Sequence, residues 1–579
     1  MAIRKRLKTR PQIKATVRRS QLITTYGVGS LIPVESESFM VAGLENWNVF
    51  PEMEIDEPRL CAILGVSKLY MPPGGEVAGM LPMVRFPEWV SCPKCNRLDR
   101  FWKLADKPKE TYENRCRHCL TVRLVPSRFV ACCAAGHIQD FPYLYWVHQG
   151  AASAESDHTL RITTNPADGS LGGITIKCSC GANRTLRGAL GSGSLSIRCS
   201  GRSPWLDNES EECGLGVVAL QRGASNVWFA DVRSALTVDR SLTAVEQVLE
   251  RVLPELEDIA VDDVAMYLQI MARKWGVEGS DLVSAYRRRA ETGRDSASAN
   301  RELREAEYEA LGRLHPEIEG NETFVCYPES YTSTESAGRW LEVVSRIPRL
   351  REVRALTGFA RVSAVPTGSI TAAGKLSRKR VGWLPAMEVL GEGVFLKVRE
   401  EALAAWEASE FARSRADAVN EAAQGAAAES AGIIPTISPR LLLLHSLAHC
   451  LLRELALDTG YPASSIRERV YAEQGQSGIL LFTATADAAG SLGGLCSQGT
   501  TRNLARIFAS AIESAQWCSA DPVCLESVAS GAGATNMAAC HSCLLAPEVS
   551  CEHQNRYLDR GTLIGNEAFP EGGFLTGDW

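Results

Sequence analysis

A chain of 579 residues is too long for one hydrophobic core and implies several domains. The formal net charge of −6 excludes a global nucleic-acid signature, so any DNA affinity must come from local basic patches. Nineteen cysteines without a secretion signal point to a reducing cytoplasm and metal ligation, and no apolar run is long enough to span a bilayer.

Residues 1–85 open as a basic arm with no acidic residue before Glu35. Arg4, Lys5, Arg6, Lys8, Arg10, Lys14, Arg18 and Arg19 can neutralise phosphates or grip an acidic partner; the plain alternative is a solvated tail. Tyr26-Gly27-Val28-Gly29 lacks the lysine of a phosphate loop and reads as a turn. In residues 86–125, Cys92, Cys95, Cys116 and Cys119 form two CxxC pairs separated by twenty residues. That spacing predicts a zinc ribbon, in which two knuckles aim four thiolates at one ion. Lys94, Arg97, Arg100, Lys103, Arg115 and Arg117 are interleaved with the knuckles, where they suit either nucleic-acid contact or a solvated face.

Residues 126–236 read as β-rich. The stretch FVACCAAGHIQDFPYLYWVH carries Cys132, Cys133, His137, Asp140 and His148 without a standard ligand spacing; it suits a metal or Cys–His site, or a core strand with a polar edge. Cys178, Cys180, Cys199 and Cys213 are expected to form a second four-cysteine zinc site. Periodic apolar runs over 237–320 predict a helical insertion, a spacer or docking surface. Residues 321–430 read as short mixed elements closed by an alanine-rich helical linker. Within them Arg346, Arg349, Arg351, Arg354 and Arg361 form a second basic concentration. Arg349, Arg351 and Arg354 are its candidate phosphate contacts, with a solvated face as the alternative.

Residues 431–579 form the last domain. LLLLHSLAHCLLRELA repeats leucine at helical spacing and sets His445 and His449 one turn apart, able to bind zinc or to pack as hydrogen-bonded core residues. Ser446 stands where an HExxH metalloprotease has its glutamate, which disfavours that enzyme. GILLFTATADAAGSLGGL reads as a buried strand, Asp487 and a tight glycine-rich turn able to approach the preceding helix or a nucleic-acid backbone. It has no GK[ST], so the chain is not a P-loop NTPase. Cys540 and Cys543 form a further CxxC pair, with Cys551 expected as third ligand. Cys524 is preferred to Cys518 as fourth because its intervening segment is shorter.

Together HSLAHCLL, ILLFTATADAAGSLGGL and CHSCLLAPEVSCEHQNRYLDR resemble the zinc-binding domain at the C-terminus of certain bacterial superfamily-two helicases, here with no motor ahead of it. RRSQLITTYGVGSLI, CCAAGHIQDFPYLYWVH, LQRGASNVWFADVRSAL and REVRALTGFARV resemble the DrmB family, the B subunits of the DISARM anti-phage defence system. The resemblance implies a cytoplasmic, non-motor and non-catalytic subunit that binds a DrmA-like superfamily-two DNA helicase and helps engage foreign DNA. It also implies other DISARM components as partners, among them a phospholipase-D-like protein and a DNA methyltransferase, and no membrane. The set around Cys540 carries over as a structural zinc site, and two or three structural zinc ions are expected in all. Two other readings stand beside it: a metal-dependent nuclease using His445, His449 and Asp487 or residues near His137 and Asp140, and a purely structural zinc scaffold. The expected fold is an α+β multidomain protein with zinc-ribbon-like modules, a helical insertion and a C-terminal α/β zinc-binding domain.

Overall fold

A computed structural model of the chain describes residues 17–576 except 75–80, 109–111, 151–157, 192, 239–244, 246–247, 250–251, 253–255, 257–258, 260–262, 293–295, 318–322, 332–336, 364–373, 429–435, 484–492, 529 and 532–534. Arg4, Lys5, Arg6, Lys8, Arg10, Lys14 and Asp487 therefore lie outside the described residues.

Strands β1 (Leu31–Val34), β2 (Glu37–Val41) and β3 (Met83–Arg85) make a small antiparallel sheet. Next come β4 (Trp89–Ser91), β5 (Arg97–Arg100), β6 (Val125–Pro126), β7 (Phe129–Cys132) and β8 (Ile138–Asp140). After them run helix α1 (Tyr143–His148), β9 (Leu160–Thr164), β10 (Ile174–Cys178), β11 (Asn183–Thr185) and β12 (Val218–Gln221). They build a six-stranded sheet in the order β6-β4-β5-β9-β10-β11 and a three-stranded sheet in the order β8-β7-β12.

The second half holds β13 (Phe229–Thr237), α2 (Val264–Trp275), α3 (Gly279–Thr292), α4 (Ser296–Leu311), β14 (Phe324–Ser330), β15 (Leu341–Ala360) and β16 (Trp383–Val398). It ends with α5 (Glu400–Glu407), α6 (Glu410–Ala428), α7 (Pro439–Thr459), β17 (Ile466–Tyr471), β18 (Gly478–Thr483) and α8 (Thr501–Ala515). An eight-stranded sheet runs β13-β15-β16-β18-β17; β14 pairs with β15, and Lys68–Tyr70 pairs in parallel with the start of β16. The protein is thus a mixed α/β structure with several sheets.

The short elements expected over 321–400 are instead dominated by two long strands, β15 and β16, of 20 and 16 residues. Their pairing shifts register between Ile347 and Leu350. Pro348 sits at that break, where a residue without an N–H is tolerated. Most of β15 is buried on both faces, which erases the alternation that marks a strand in sequence.

Helix α7 is held at its start by Ser438, whose hydroxyl accepts the Leu441 N–H at 3.1 Å, and Pro439 occupies the first turn. Gly460 ends it at φ 71°, the left-handed conformation that a β-carbon resists. From Leu442 to Leu452 the helix is apolar nearly all round because it is buried all round there, packed among β17, β18 and α8 through Leu443, Leu444, Leu447 and Leu451. Just after β15, the wholly buried Arg361 donates to the carbonyls of Gly136 (2.8 Å), Val227 (2.6 Å) and Gly29 (2.7 Å) in the front half. It ties the turn after Tyr26 to the β7–β8 turn.

Candidate metal centres

Cys92 follows β4 and Asn96 turns the chain at φ 59°; Leu120 does the same after Cys116 and Cys119 at φ 59°. The two knuckles face each other, with Cys92 Sγ 3.8 Å from Cys119 Sγ and Cys95 Sγ 3.8 Å from Cys116 Sγ. A tetrahedron with metal–sulfur bonds of about 2.3 Å has edges of about 3.8 Å. These four sulfurs fit one ion.

The expected set Cys178, Cys180, Cys199 and Cys213 is corrected: the structure divides it between two sites. Cys199 and Cys213 join Cys133 and His137, whose donor atoms all lie within 4.8 Å of one another. The division follows from strand pairing. Cys178 ends β10, whose partner β9 begins opposite it at Leu160, so the chain just before β9 brings His158 to that end. Cys199, hydrogen-bonded through its N–H to the Leu215 carbonyl, lies instead against the β7–β8 turn.

In the first of these sites, His137 Nδ1 is 3.5 Å from Cys133 Sγ, and its Nε2 lies 3.0 Å from Glu211, a carboxylate placed to orient the ring. Contact with the Cys199 sulfur pulls the Cys133 thiol down to about 5 against the opposing effect of burial, favouring the thiolate that binds metal. In the second, His158 Nδ1 lies 3.1 Å from Cys178 Sγ, and His148 Nε2 lies 3.3 Å from Cys180 Sγ. His148 Nδ1 donates to the Leu144 carbonyl at 2.8 Å, which leaves Nε2 bare and pointed at the site. Sequence reasoning names Cys133, His137 and His148 as candidates without joining them to Cys199 or Cys178, and it misses His158 altogether. Cys132 is buried in the core, and Asp140 accepts the Trp89 N–H at 3.0 Å instead of joining a metal set.

The C-terminal set is corrected as well. Cys540 and Cys543 meet both Cys518 and Cys524, with Sγ–Sγ distances of 3.5 Å (Cys518–Cys540), 3.7 Å (Cys524–Cys543) and 3.7 Å (Cys540–Cys543). These again match tetrahedral edges of about 3.8 Å. Cys551 is not among them. Its loop tucks under α7, where its sulfur faces His445, His449 and Glu468.

The second basic concentration is largely taken up by carboxylate partners, buried at Arg354 and at the surface for Arg346 and Arg349. Arg354 is buried with both nitrogens on Glu352, at 2.7 and 2.6 Å; Arg351 grips Glu388; Arg349 pairs with Glu317 at 2.8 Å. Arg354 and Arg351 are corrected accordingly: Arg354 is buried on its carboxylate partner, while Arg351, on the opposite face of the strand, is held by the half-exposed Glu388 and the Asp56 carbonyl. Arg346 likewise pairs with Glu329 at 2.7 Å. Arg18 is exposed, and Arg19 donates to the Gly74 carbonyl at 2.6 Å. The glycine-rich turn, where described, closes on neither helix α7 nor an open groove. The N–H groups of Gly493, Leu495 and Cys496 converge on the carboxylate of Glu392.

This arrangement defines a protein built around several cysteine and cysteine–histidine clusters, and its last part carries a zinc-binding domain: the family described as the MrfA Zn-binding domain matches residues 447–544, a span that holds Cys518, Cys524, Cys540 and Cys543. Residues 18–229 match a domain of unknown function (DUF8724). The chain as a whole is similar to the DISARM protein DrmB of Bacillus paralicheniformis, 28% identical over 557 residues that cover 91% of this chain and 97% of that one. Among the described residues no helix is long and apolar enough to cross a membrane.

Proposed function

We propose that this chain is a non-motor subunit of a DISARM-type anti-phage defence complex, which binds a superfamily-two helicase and helps hold foreign DNA. The observation that carries this reading is the likeness to DISARM protein DrmB across nearly the full length of both chains. The sequence contains no GK[ST] loop, so the motor belongs to a partner. Cys92, Cys95, Cys116 and Cys119 hold one zinc ion and Cys518, Cys524, Cys540 and Cys543 another. The Cys133–His137–Cys199–Cys213 and His148–His158–Cys178–Cys180 sets suit the same ion. Each set offers four protein donors and leaves no open position for a reacting water, which supports folding roles over hydrolysis and speaks against the nuclease alternative. DNA contact falls to the arm that ends at Arg18 and Arg19 and to the exposed Lys94, Arg100, Lys103 and Arg117 of the first knuckle pair.

The test is co-purification with a DrmA-like superfamily-two helicase, followed by DNA-stimulated ATPase assays with and without this chain. A stable pair with altered DNA affinity or ATPase rate is the expected result. No complex, together with DNA cleavage by this chain alone, would overturn the proposal.

A further inference from the structure

His445 and His449 come from successive turns of α7, Glu468 is the third residue of β17, and Cys551 lies in the loop beyond the last knuckle. All four are buried, at 0%, 2%, 2% and 4% exposure. One donor atom from each lies within 4.8 Å of the others. His445 Nε2 is 2.9 Å from Glu468 Oε1 and 3.2 Å from Cys551 Sγ; His449 Nε2 is 3.3 Å from the same Oε1.

The protons decide what this cluster is. His445 Nδ1 lies 3.1 Å from the Tyr557 carbonyl and His449 Nδ1 lies 2.7 Å from the Leu544 carbonyl. A carbonyl only accepts, so each Nδ1 carries a proton, which leaves Nε2 as the ligand atom of each ring, turned toward one carboxylate oxygen. Two lone pairs, a carboxylate and a sulfur then converge in a space closed to water. A metal ion answers all four donors. Two further details agree: Glu468 Oε2 is buried without a hydrogen-bond partner, and the Asn555 N–H donates to Cys551 Sγ at 3.1 Å, a contact that a metal-bound sulfur accepts readily. Charge agrees as well. Two neutral imidazoles, one carboxylate and one thiolate bring a divalent ion to zero net charge, the value a dry interior tolerates best.

We propose that His445 Nε2, His449 Nε2, Glu468 and Cys551 Sγ hold a zinc ion in a closed, buried centre separate from the four-cysteine site. Imidazole, carboxylate and thiolate donors together suit zinc better than the harder calcium or magnesium. His445 and Cys551 fall outside the residues that match the Zn-binding family, so this centre is an addition to that match. The ion would pin α7, β17 and the terminal loop at one point. Glu552, next to its sulfur ligand, pairs with Arg304 of α4, so the centre also fixes the seam with the helical insertion. The inference does not depend on the helicase or DNA roles.

Crystals of the full-length protein, measured on either side of the zinc absorption edge, test it. The expected map has an anomalous peak among these four side chains besides one at Cys518, Cys524, Cys540 and Cys543. A peak at the four-cysteine set with none between His445 and Cys551 would overturn the proposal. Zinc content of a folded His445→Ala/Cys551→Ala variant should drop by one ion per chain, and an unchanged content would count against it. Should that variant not fold, the anomalous map of the unaltered protein decides by itself.

Discussion

Arg469 of β17 and Glu307 of α4 meet in a two-pronged contact inside the protein, with Nη1 2.7 Å from one carboxylate oxygen and 2.8 Å from the other. Their side chains are 2% and 0% exposed. The same carboxylate accepts the Leu236 N–H at 2.8 Å and the Tyr471 hydroxyl at 3.1 Å. The last helix of the insertion is thereby locked onto the central sheet. Removing one partner from such a pair strands a buried charge, which costs about 3–5 kcal/mol. Glu307→Ala should therefore lower stability by about that much in urea unfolding. A Glu307→Leu/Arg469→Met double variant should recover part of it, and a double variant as unstable as the sum of its parts would refute the pairing argument.

Acid should attack the neighbouring group. Burial alone would raise the Glu352 carboxyl, but the guanidinium groups of Arg354, Arg467 and Arg469 hold it at about 2. The folded value lies below the ordinary 4.5, so the stabilisation is full above 4.5 and is lost as pH falls toward 2. Its size is about 3 kcal/mol. Unfolding measured from pH 6 to pH 3 should show wild type and Glu352→Gln converging as pH drops. A gap that stays constant would assign the stabilisation to packing.

DNA binding, if it uses the arm, should respond to deletion of residues 1–16 and not to the strand arginines. The deletion removes Arg4, Lys5, Arg6, Lys8, Arg10 and Lys14, six cations worth up to about 5 in the slope of log affinity against log salt on duplex DNA and about 4 on a single strand. Arg354→Ala should instead reduce stability and leave that slope alone. A slope reduced by Arg354→Ala in folded protein would mean that the ion pair opens to phosphate.

Glu392 organises the glycine-rich turn. Its Oε2 accepts the N–H groups of Gly493 at 2.7 Å and Cys496 at 2.9 Å, and its Oε1 accepts that of Leu495 at 3.0 Å and the Tyr461 hydroxyl at 3.1 Å. Glu392→Ala leaves the Leu495 and Cys496 donors buried and unmet, at about 1–3 kcal/mol each. Hydrogen exchange over residues 493–499 should accelerate before the rest of the protein responds. Unchanged protection there would dismiss this role.

Legibility in the sequence tracked the distance over which information was needed. The knuckles at Cys92 and Cys116 turn on their own residues, and their spacing alone foretells that four sulfurs meet. Helix α7 announces itself by leucine period, a serine cap and a closing glycine. Cys133 and Cys199, by contrast, meet only because β7 pairs with β12, and His158 reaches Cys178 only through the register of β9 on β10. No local spacing encodes such pairings. Proximity in the chain points Cys551 to Cys540, whereas the fold sends it under α7. The arginines misled for another reason: composition shows charge but not the carboxylate opposite. Arg354 in its ion pair and Arg361 among three carbonyls look the same in sequence as phosphate-binding residues.

The strand order of the central sheet has a consequence for the newly made chain. The edge of β16 that carries Gly393 to Lys397 is covered by β18, which begins only at Gly478. Ribosomes add about 5–20 residues per second, so this edge, with Phe395 and Leu396 on it, emerges about ten seconds before its partner. For that interval the nascent protein displays an open, apolar template for any passing strand. Products that stop before Gly478 keep it for good, and they should collect with chaperones or in the insoluble fraction while the finished chain stays in solution.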